Sequence, residues 1–241
     1  RLLAQGALGF GEAYMEGLIK IEGDLEAYLR LRHQLKYVKR SLRLIFATFL
    51  ATRTVPQDRK DQIAYHYDLG NDFFQMFLDK DTMSYSAGYY ETGSESLETA
   101  QQKKLELMCR WLNLPIGASV LDLGFGWGGF AKYATINKQW NITGYTLSNA
   151  QLEYCRDLIK TNKLEKSVSL EYRDMIENLT TTQFDGVIMI ESIEHVGQKR
   201  LPQFFNKLHE VVKPGGSLVL QLTGRHKPRR VDQWTLKYVF P

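Results

Sequence analysis

From Ser119 onward, short β-branched and apolar runs alternate with stretches of helical spacing. That alternation leaves few folds open, because strands joined by helical crossovers must run parallel. The pattern predicts a doubly wound, Rossmann-like α/β sheet. Strands are expected at Ser119–Leu123, about Trp140–Tyr145, about Val168–Tyr172, Gly186–Ile190 and Ser217–Leu222. Helices are expected at about Gly129–Asn137, Asn149–Thr161 and Lys199–Val212, the last ended by the breaker Lys213-Pro214-Gly215-Gly216. Two regions of different texture precede the alternation. Residues 1 to about 55 are rich in Leu, Arg and Lys and read as helical, whereas about 56–116 carry many aromatics, with turn signals at Gly70-Asn71 and Gly88. The domain reading is a helical region at 1–55 and an α/β domain at 56–241, with no fixed-period repeat.

The most informative loop follows the first strand. Leu121-Asp122-Leu123-Gly124-Phe125-Gly126-Trp127-Gly128-Gly129 leaves a buried strand and opens a helix. Glycines let the backbone turn sharply and approach a ligand, while the helix start presents free N–H groups. The spacing departs from the dinucleotide pattern G-x-G-x-x-G and lacks the Lys-Ser/Thr of a phosphate-binding loop. An acid two residues before the first glycine, Asp122, suits S-adenosylmethionine, whose cationic methionyl part lies beside such a loop. Mere turn glycines are the rival reading, weakened by the strand–helix context.

Ligands of such sheets gather at the carboxyl ends of the strands. There stand Thr146-Leu147-Ser148-Asn149-Ala150-Gln151 for ribose and adenine, and Tyr172-Arg173-Asp174, whose carboxylate can accept from the adenine amino group. Glu191-Ser192-Ile193-Glu194-His195 after the fourth strand faces the transferred methyl. Each is weak alone, since Ser148 is also a helix cap and Asp174 an ordinary loop acid; their regular placement carries the reading.

Composition narrows the class further. At 44% hydrophobic and 24% charged, the chain is neither disordered nor fibrous. Lys plus Arg at 31 against Asp plus Glu at 27 leaves +4, too little to argue for nucleic acid. Cys109 and Cys155 make neither a disulfide framework nor a metal site and fit a reducing cytoplasm. The longest apolar run, Leu44 to Ala51, is broken by Thr48 and falls well short of the roughly 18 residues of a spanning helix. No signal peptide is visible, and the first residue is Arg1 rather than Met.

Near the start, Leu31, Leu35, Val38, Leu42, Ile45 and Phe49 mark one apolar helix face, with Arg32, Lys36, Lys39 and Arg43 beside it. Such a helix can lie on anionic lipid or pack on the catalytic domain with a solvated basic flank. A second basic cluster, Arg225-His226-Lys227-Pro228-Arg229-Arg230, follows the fifth strand. No aromatic-interleaved strand motif supports RNA as the partner.

The sequence resembles the cyclopropane fatty acid synthase family, which includes the mycolic acid cyclopropane synthases. The resemblance covers nearly the whole chain: 7–17 (Ala-Leu-Gly-Phe-Gly-Glu-Ala-Tyr-Met-Glu-Gly), Tyr65-His66-Tyr67-Asp68-Leu69-Gly70-Asn71-Asp72-Phe73-Phe74 and Met83-Ser84-Tyr85-Ser86-Ala87-Gly88-Tyr89-Tyr90. It continues through the glycine loop, Glu194-His195-Val196-Gly197 and Lys237-Tyr238-Val239-Phe240-Pro241. It implies transfer of a methyl from S-adenosylmethionine to a cis double bond of a phospholipid acyl chain. Proton removal then closes a cyclopropane ring, with bound bicarbonate as the base. By motif, Tyr85 and Ser86 touch the cofactor; the glycine loop and the strand ends add Asp122, Gly124, Gly126, Gly128, Thr146, Leu147, Ser148, Gln151, Tyr172, Arg173 and Asp174 as expected cofactor contacts. Glu194 is the expected catalytic carboxylate holding bicarbonate.

Three departures qualify this. The family's Cys after Tyr-Ser is Ala87, its strand-5 His-Thr-Ile appears as Gln221-Leu222-Thr223, and its glycine-loop Cys is Phe125. Glu194, Gln221 and Thr223 are then the candidate anion site, binding bicarbonate more weakly or leaving Glu194 as the base itself. Family members continue beyond the position of Pro241, which implies a C-terminal truncation. The overall expectation is a cytoplasmic enzyme, peripheral on the inner face of an anionic membrane, with no metal and with homodimerisation left open. Its rivals are methylation of an acyl chain or small amine without ring closure, and an inactive lipid-binding paralogue.

Overall fold

A computed structural model describes residues 7–31, 66–67, 69–224, 226 and 233–239. The basic helix beyond Leu31, Tyr65, Asp68, Arg225 and 227–232 lie outside the described residues. The chain divides into two compact units, 1–58 with 227–241, and 59–226.

In the first unit, helix α1 spans Ala7–Met15 and α2 spans Leu25–Leu31. The Phe10 and Tyr28 rings stack at 4.8 Å. Glu12, 7% exposed, accepts from Lys237 Nζ at 2.6 Å and the Tyr238 hydroxyl at 3.0 Å, so its buried charge is compensated.

The second unit holds α3 (Asn71–Gln75), α4 (Leu97–Leu112), β1 (Ser119–Leu123), α5 (Gly129–Lys138), β2 (Asn141–Thr146), α6 (Asn149–Thr161), β3 (Val168–Tyr172), β4 (Phe184–Ile190), α7 (Leu201–Val211) and β5 (Val212–Gln221). The five strands are parallel, in the order β3-β2-β1-β4-β5. The doubly wound reading is therefore right. The order reverses between β1 and β4, which opens a crevice at the carboxyl ends of those strands.

Strand side chains alternate between two cores. Val120 and Ile188 pack on one face with Leu105, Met108 and Leu112 of α4 and Phe130 of α5. Leu121, Leu123, Val187 and Met189 pack on the other with Phe204, Leu208 and Val211 of α7. Ser96 caps α4 by accepting from the Thr99 N–H at 3.2 Å.

One boundary is corrected. The segment Lys213–Gly216 does not separate helix from strand. Val212 already pairs with Phe184, and the register resumes only at Ser217 opposite Gly186. Pro-Gly-Gly sits there as a bulge, where missing ladder donors are tolerated.

Candidate functional site

At the reversal point the glycine loop joins the end of β1 to α5, with the Gly124 N–H donating to the Tyr145 carbonyl at 2.9 Å. Gly124, Gly126 and Gly128 all have positive φ, at 88°, 57° and 79°. They are glycines for two different reasons. A Cβ on Gly124 would lie 2.5 Å from Ser192 Cβ, and one on Gly128 3.0 Å from Cys155 Sγ, so those positions are closed by packing. A Cβ on Gly126 would meet nothing within 4 Å. That residue faces open space, on a cleft that opens at the carboxyl ends of β1 and β4.

Of the expected site residues, Tyr85, Ser86, Asp122, Gly124, Gly126, Thr146, Leu147, Gln151 and Arg173 line this one cleft. Arg173 lies over the Tyr145 ring at 4.9 Å and donates through Nε to the Asn178 carbonyl, forming one wall. Thr146 Oγ1 donates to Gln151 Oε1 at 2.7 Å, tying β2 to α6. Ser148 accepts from the Gln151 N–H and is the N-cap of α6. Asp174, 3% exposed, accepts from the Ile176 N–H at 2.9 Å and folds its own turn. Gly128, Ser148, Tyr172 and Asp174 do not line the cleft.

Asp122 is 2% exposed, and its Oδ2 has no hydrogen-bond partner among the described residues. Burial pushes its carboxyl up to about 7. A buried unpartnered carboxylate on a cleft wall is a receptor for a donor or a cation. Its folded value lies above the unfolded one, so its contribution to stability is full below about pH 4 and is lost as pH rises to about 7. Comparing urea unfolding of the ligand-free chain with that of Asp122→Asn across this range should show the wild type losing a few kcal/mol relative to the variant. Parallel pH curves would contradict the buried-acid assignment.

Several residues on the cleft wall or directly behind it were not assigned from the sequence. Asp79, 1% exposed, accepts from the Thr82 N–H and hydroxyl and from the Ser84 N–H, shaping the loop that leads to Tyr85. Lys104 of α4 is 2% exposed and donates to Ser86 Oγ at 2.7 Å, while burial lowers its ammonium to about 8. Its signal was a lysine at four-residue spacing between Ala100 and Met108 on the buried stripe of α4. Tyr67 lies 3.4 Å from His195 Nε2 through its hydroxyl. Burial first, then the charges of Tyr85, Glu194 and Glu191, raise the Tyr67 pKa and keep that hydroxyl protonated.

The carboxylates arrange themselves unexpectedly. Glu191, with φ 50°, lines the cleft, and its Oε1 accepts from the Ala87 N–H and from Gln221 Nε2, both at 3.1 Å. Glu194 is exposed, lies off the lining and accepts from the Thr223 N–H at 2.7 Å. The expected cluster of Glu194, Gln221 and Thr223 therefore splits: Thr223 serves Glu194, while Gln221 serves Glu191. Among the described residues, no group of three His, Cys, Asp or Glu side chains is placed to hold a metal.

Comparison with known proteins supplies the relationship. The chain is 32% identical over 245 residues to a probable fatty acid methyltransferase of Pseudomonas putida, covering 96% of this chain and 60% of that protein. It is 35% identical over 251 residues to the cyclopropane-fatty-acyl-phospholipid synthase of Escherichia coli K12, covering 100% of this chain and 63% of that one. The chain thus spans about 60% of the length of these curated relatives. The crystal structure of mycolic acid cyclopropane synthase CmaA1 complexed with SAH and CTAB superposes with a TM-score of 0.63 at 30% identity, over 68% of this chain and 57% of that one. A family model described as mycolic acid cyclopropane synthetase matches residues 55–241. With the parallel sheet and its glycine loop in place, that match establishes that the chain belongs to the mycolic acid cyclopropane synthetase family and carries its methyltransferase fold.

Proposed function

We propose that the protein transfers a methyl group from S-adenosylmethionine to the cis double bond of an unsaturated phospholipid acyl chain and closes a cyclopropane ring. The observation that carries the cofactor half is the buried, unpartnered Asp122 carboxylate beside the open Gly126 position. That pairing fits the cationic methionyl group of S-adenosylmethionine, and the CmaA1 relative was crystallised with SAH. When bound, the cofactor supplies an electrophilic methyl. Asp122 would hold its cationic end, with Tyr85 and Ser86 beside it. Thr146, Leu147, Gln151 and Arg173 would hold the nucleoside, while Gly128, Ser148 and Asp174 act through the backbone they shape.

Support for a lipid substrate comes from the surface. Leu69, Phe73, Met76 and Phe77 are 56%, 42%, 75% and 46% exposed. The two Phe rings lead to the cleft: Phe73 to Phe77 at 5.4 Å, then Phe77 to Tyr85 on the cleft wall at 6.1 Å. Exposed apolar side chains continuous with a cleft suit acyl chains. Methylation without ring closure is the second reading, favoured by the Pseudomonas putida relative's name. To test the class, methyl-labelled S-adenosylmethionine is offered with unsaturated or fully saturated phosphatidylglycerol. Label should enter only the unsaturated lipid; label in both, or in neither, would contradict the proposal.

We also propose peripheral contact with an anionic membrane at its cytoplasmic face. No helix among the described residues is long and apolar enough to cross a membrane. Each basic residue near an anionic surface contributes about 1 kcal/mol. Lys36→Gln with Lys39→Gln should therefore weaken vesicle binding by roughly thirtyfold, and added salt should act likewise. Equal sedimentation with neutral and anionic vesicles at low salt would exclude an electrostatic contact.

A further inference from the structure

The family resemblance calls for a bound bicarbonate, and the residues present do not fit one. Among the described residues, the three donors of the expected anion site are already engaged by the chain's own carboxylates. Ala87 N–H and Gln221 Nε2 converge on Glu191 Oε1, and Thr223 N–H meets Glu194 Oε1. A further anion would face two negative charges with its donors taken.

We infer that Glu191 fills the place of an exogenous anion and is itself the proton acceptor of the reaction, held there by the Ala87 N–H and the Gln221 amide. Its backbone supports this. Glu191 is a non-glycine residue at φ 50°, at the carboxyl end of β4, in a left-handed conformation that L side chains rarely adopt. The Glu191 N–H donates to the Gln221 carbonyl at 2.8 Å, so β5 grips the residue through backbone and side chain together. Strain that the surroundings hold in place is found where a side chain must be aimed.

The chemistry rests on the proposed methyl transfer and balances as follows. The alkene π pair forms the bond to the incoming methyl, the sulfur keeps the S–C pair, and the second alkene carbon is left cationic. Glu191 takes a proton from the transferred methyl, and that C–H pair closes onto the cationic carbon to complete the ring. The proton then passes from the carboxyl to water. Taking the proton instead from a neighbouring chain carbon gives a methyl-branched alkene with the same base. The departures at Ala87 and Gln221 thereby acquire a reason: without the family's Cys and His, a backbone amide and a neutral side chain steady a built-in carboxylate.

The test uses ¹³C-labelled bicarbonate and formate with the chain itself, reading anion binding by NMR line broadening. Wild type should show no saturable binding, whereas Glu191→Ala should bind either anion in the vacated place. Glu191→Gln, whose side chain still fills it, should not. Calorimetric affinity for S-adenosylhomocysteine should stay within about threefold in both variants, showing intact folds. In the complete natural protein, both variants should lose turnover by roughly 10²–10⁴-fold, with formate or bicarbonate rescuing Glu191→Ala alone. Saturable bicarbonate binding by wild type, turnover that collapses when bicarbonate is stripped, or a Glu191→Ala protein that binds formate without rescue would each overturn the inference. A wild type that methylates no alkene would overturn the functional reading, and the anion-binding arm would still decide what fills the site.

Discussion

Gly126→Val should reduce affinity for S-adenosylhomocysteine by several hundredfold to about a thousandfold while leaving the chain folded. Gly126 has φ 57° and open space where a Cβ would stand, so the substitution meets no packing obstacle. The penalty is conformational and steric. A β-branched residue resists the left-handed region, costing of order 1–3 kcal/mol, and the free loop relaxes to escape it. Binding must restore the strained turn and also place ligand against a side chain occupying the cleft. With lost backbone hydrogen bonds at about 1 kcal/mol each, the sum approaches 4 kcal/mol. The equivalent change at Gly124 would instead drive a Cβ to 2.5 Å from Ser192 and unsettle the fold, so it is the poorer probe. Unchanged calorimetric affinity in Gly126→Val would remove the cofactor from this loop.

Glu194→Gln should lower turnover by roughly ten- to a hundredfold, less than loss of Glu191, with little change in S-adenosylhomocysteine affinity. The substitution keeps an oxygen to accept from the Thr223 N–H and removes only the charge. That charge is felt at the Tyr67 hydroxyl on the cleft wall, as is that of Glu191. A fixed negative charge near a developing carbocation stabilises it without moving during the reaction. The effect should therefore fall on kcat rather than on KM. Wild-type kcat in the variant would reduce Glu194 to a tether for the end of β5.

The sheet was legible because its signals are local. Ser119–Leu123, Asn149–Thr161 and Val168–Tyr172 were read with the bounds the structure has, since a buried strand and a capped amphipathic helix each announce themselves in sequence. Lys213-Pro214-Gly215-Gly216 misled for the same reason. Its composition says loop, but pairing of Val212 with Phe184 across the sheet decides that the strand has already begun. Most expected cleft residues were legible as well, because strand ends in this topology converge on one place. Lys104 and Tyr67 were not assigned, since one meets Ser86 from a helix 18 residues further along the chain and the other shows its role only through His195 across the fold. Most instructive is Glu191. The sequence shows Glu191 and Glu194 three apart with nothing to rank them, and motif matching selects the second. Only the φ of 50° and the grip of Ala87 and Gln221 distinguish the first as the carboxylate on the cleft.

The most direct test of the account is the structure of the lipid product. The complete natural protein is incubated with S-adenosylmethionine and vesicles of a cis-monounsaturated phosphatidylglycerol, and the recovered acyl chains are examined by mass spectrometry and proton NMR. The account predicts acyl chains heavier by one CH₂ unit, with alkene signals lost and cyclopropane methylene signals in their place. Acyl chains unchanged in mass, from protein that still binds S-adenosylhomocysteine in the calorimeter, would contradict it.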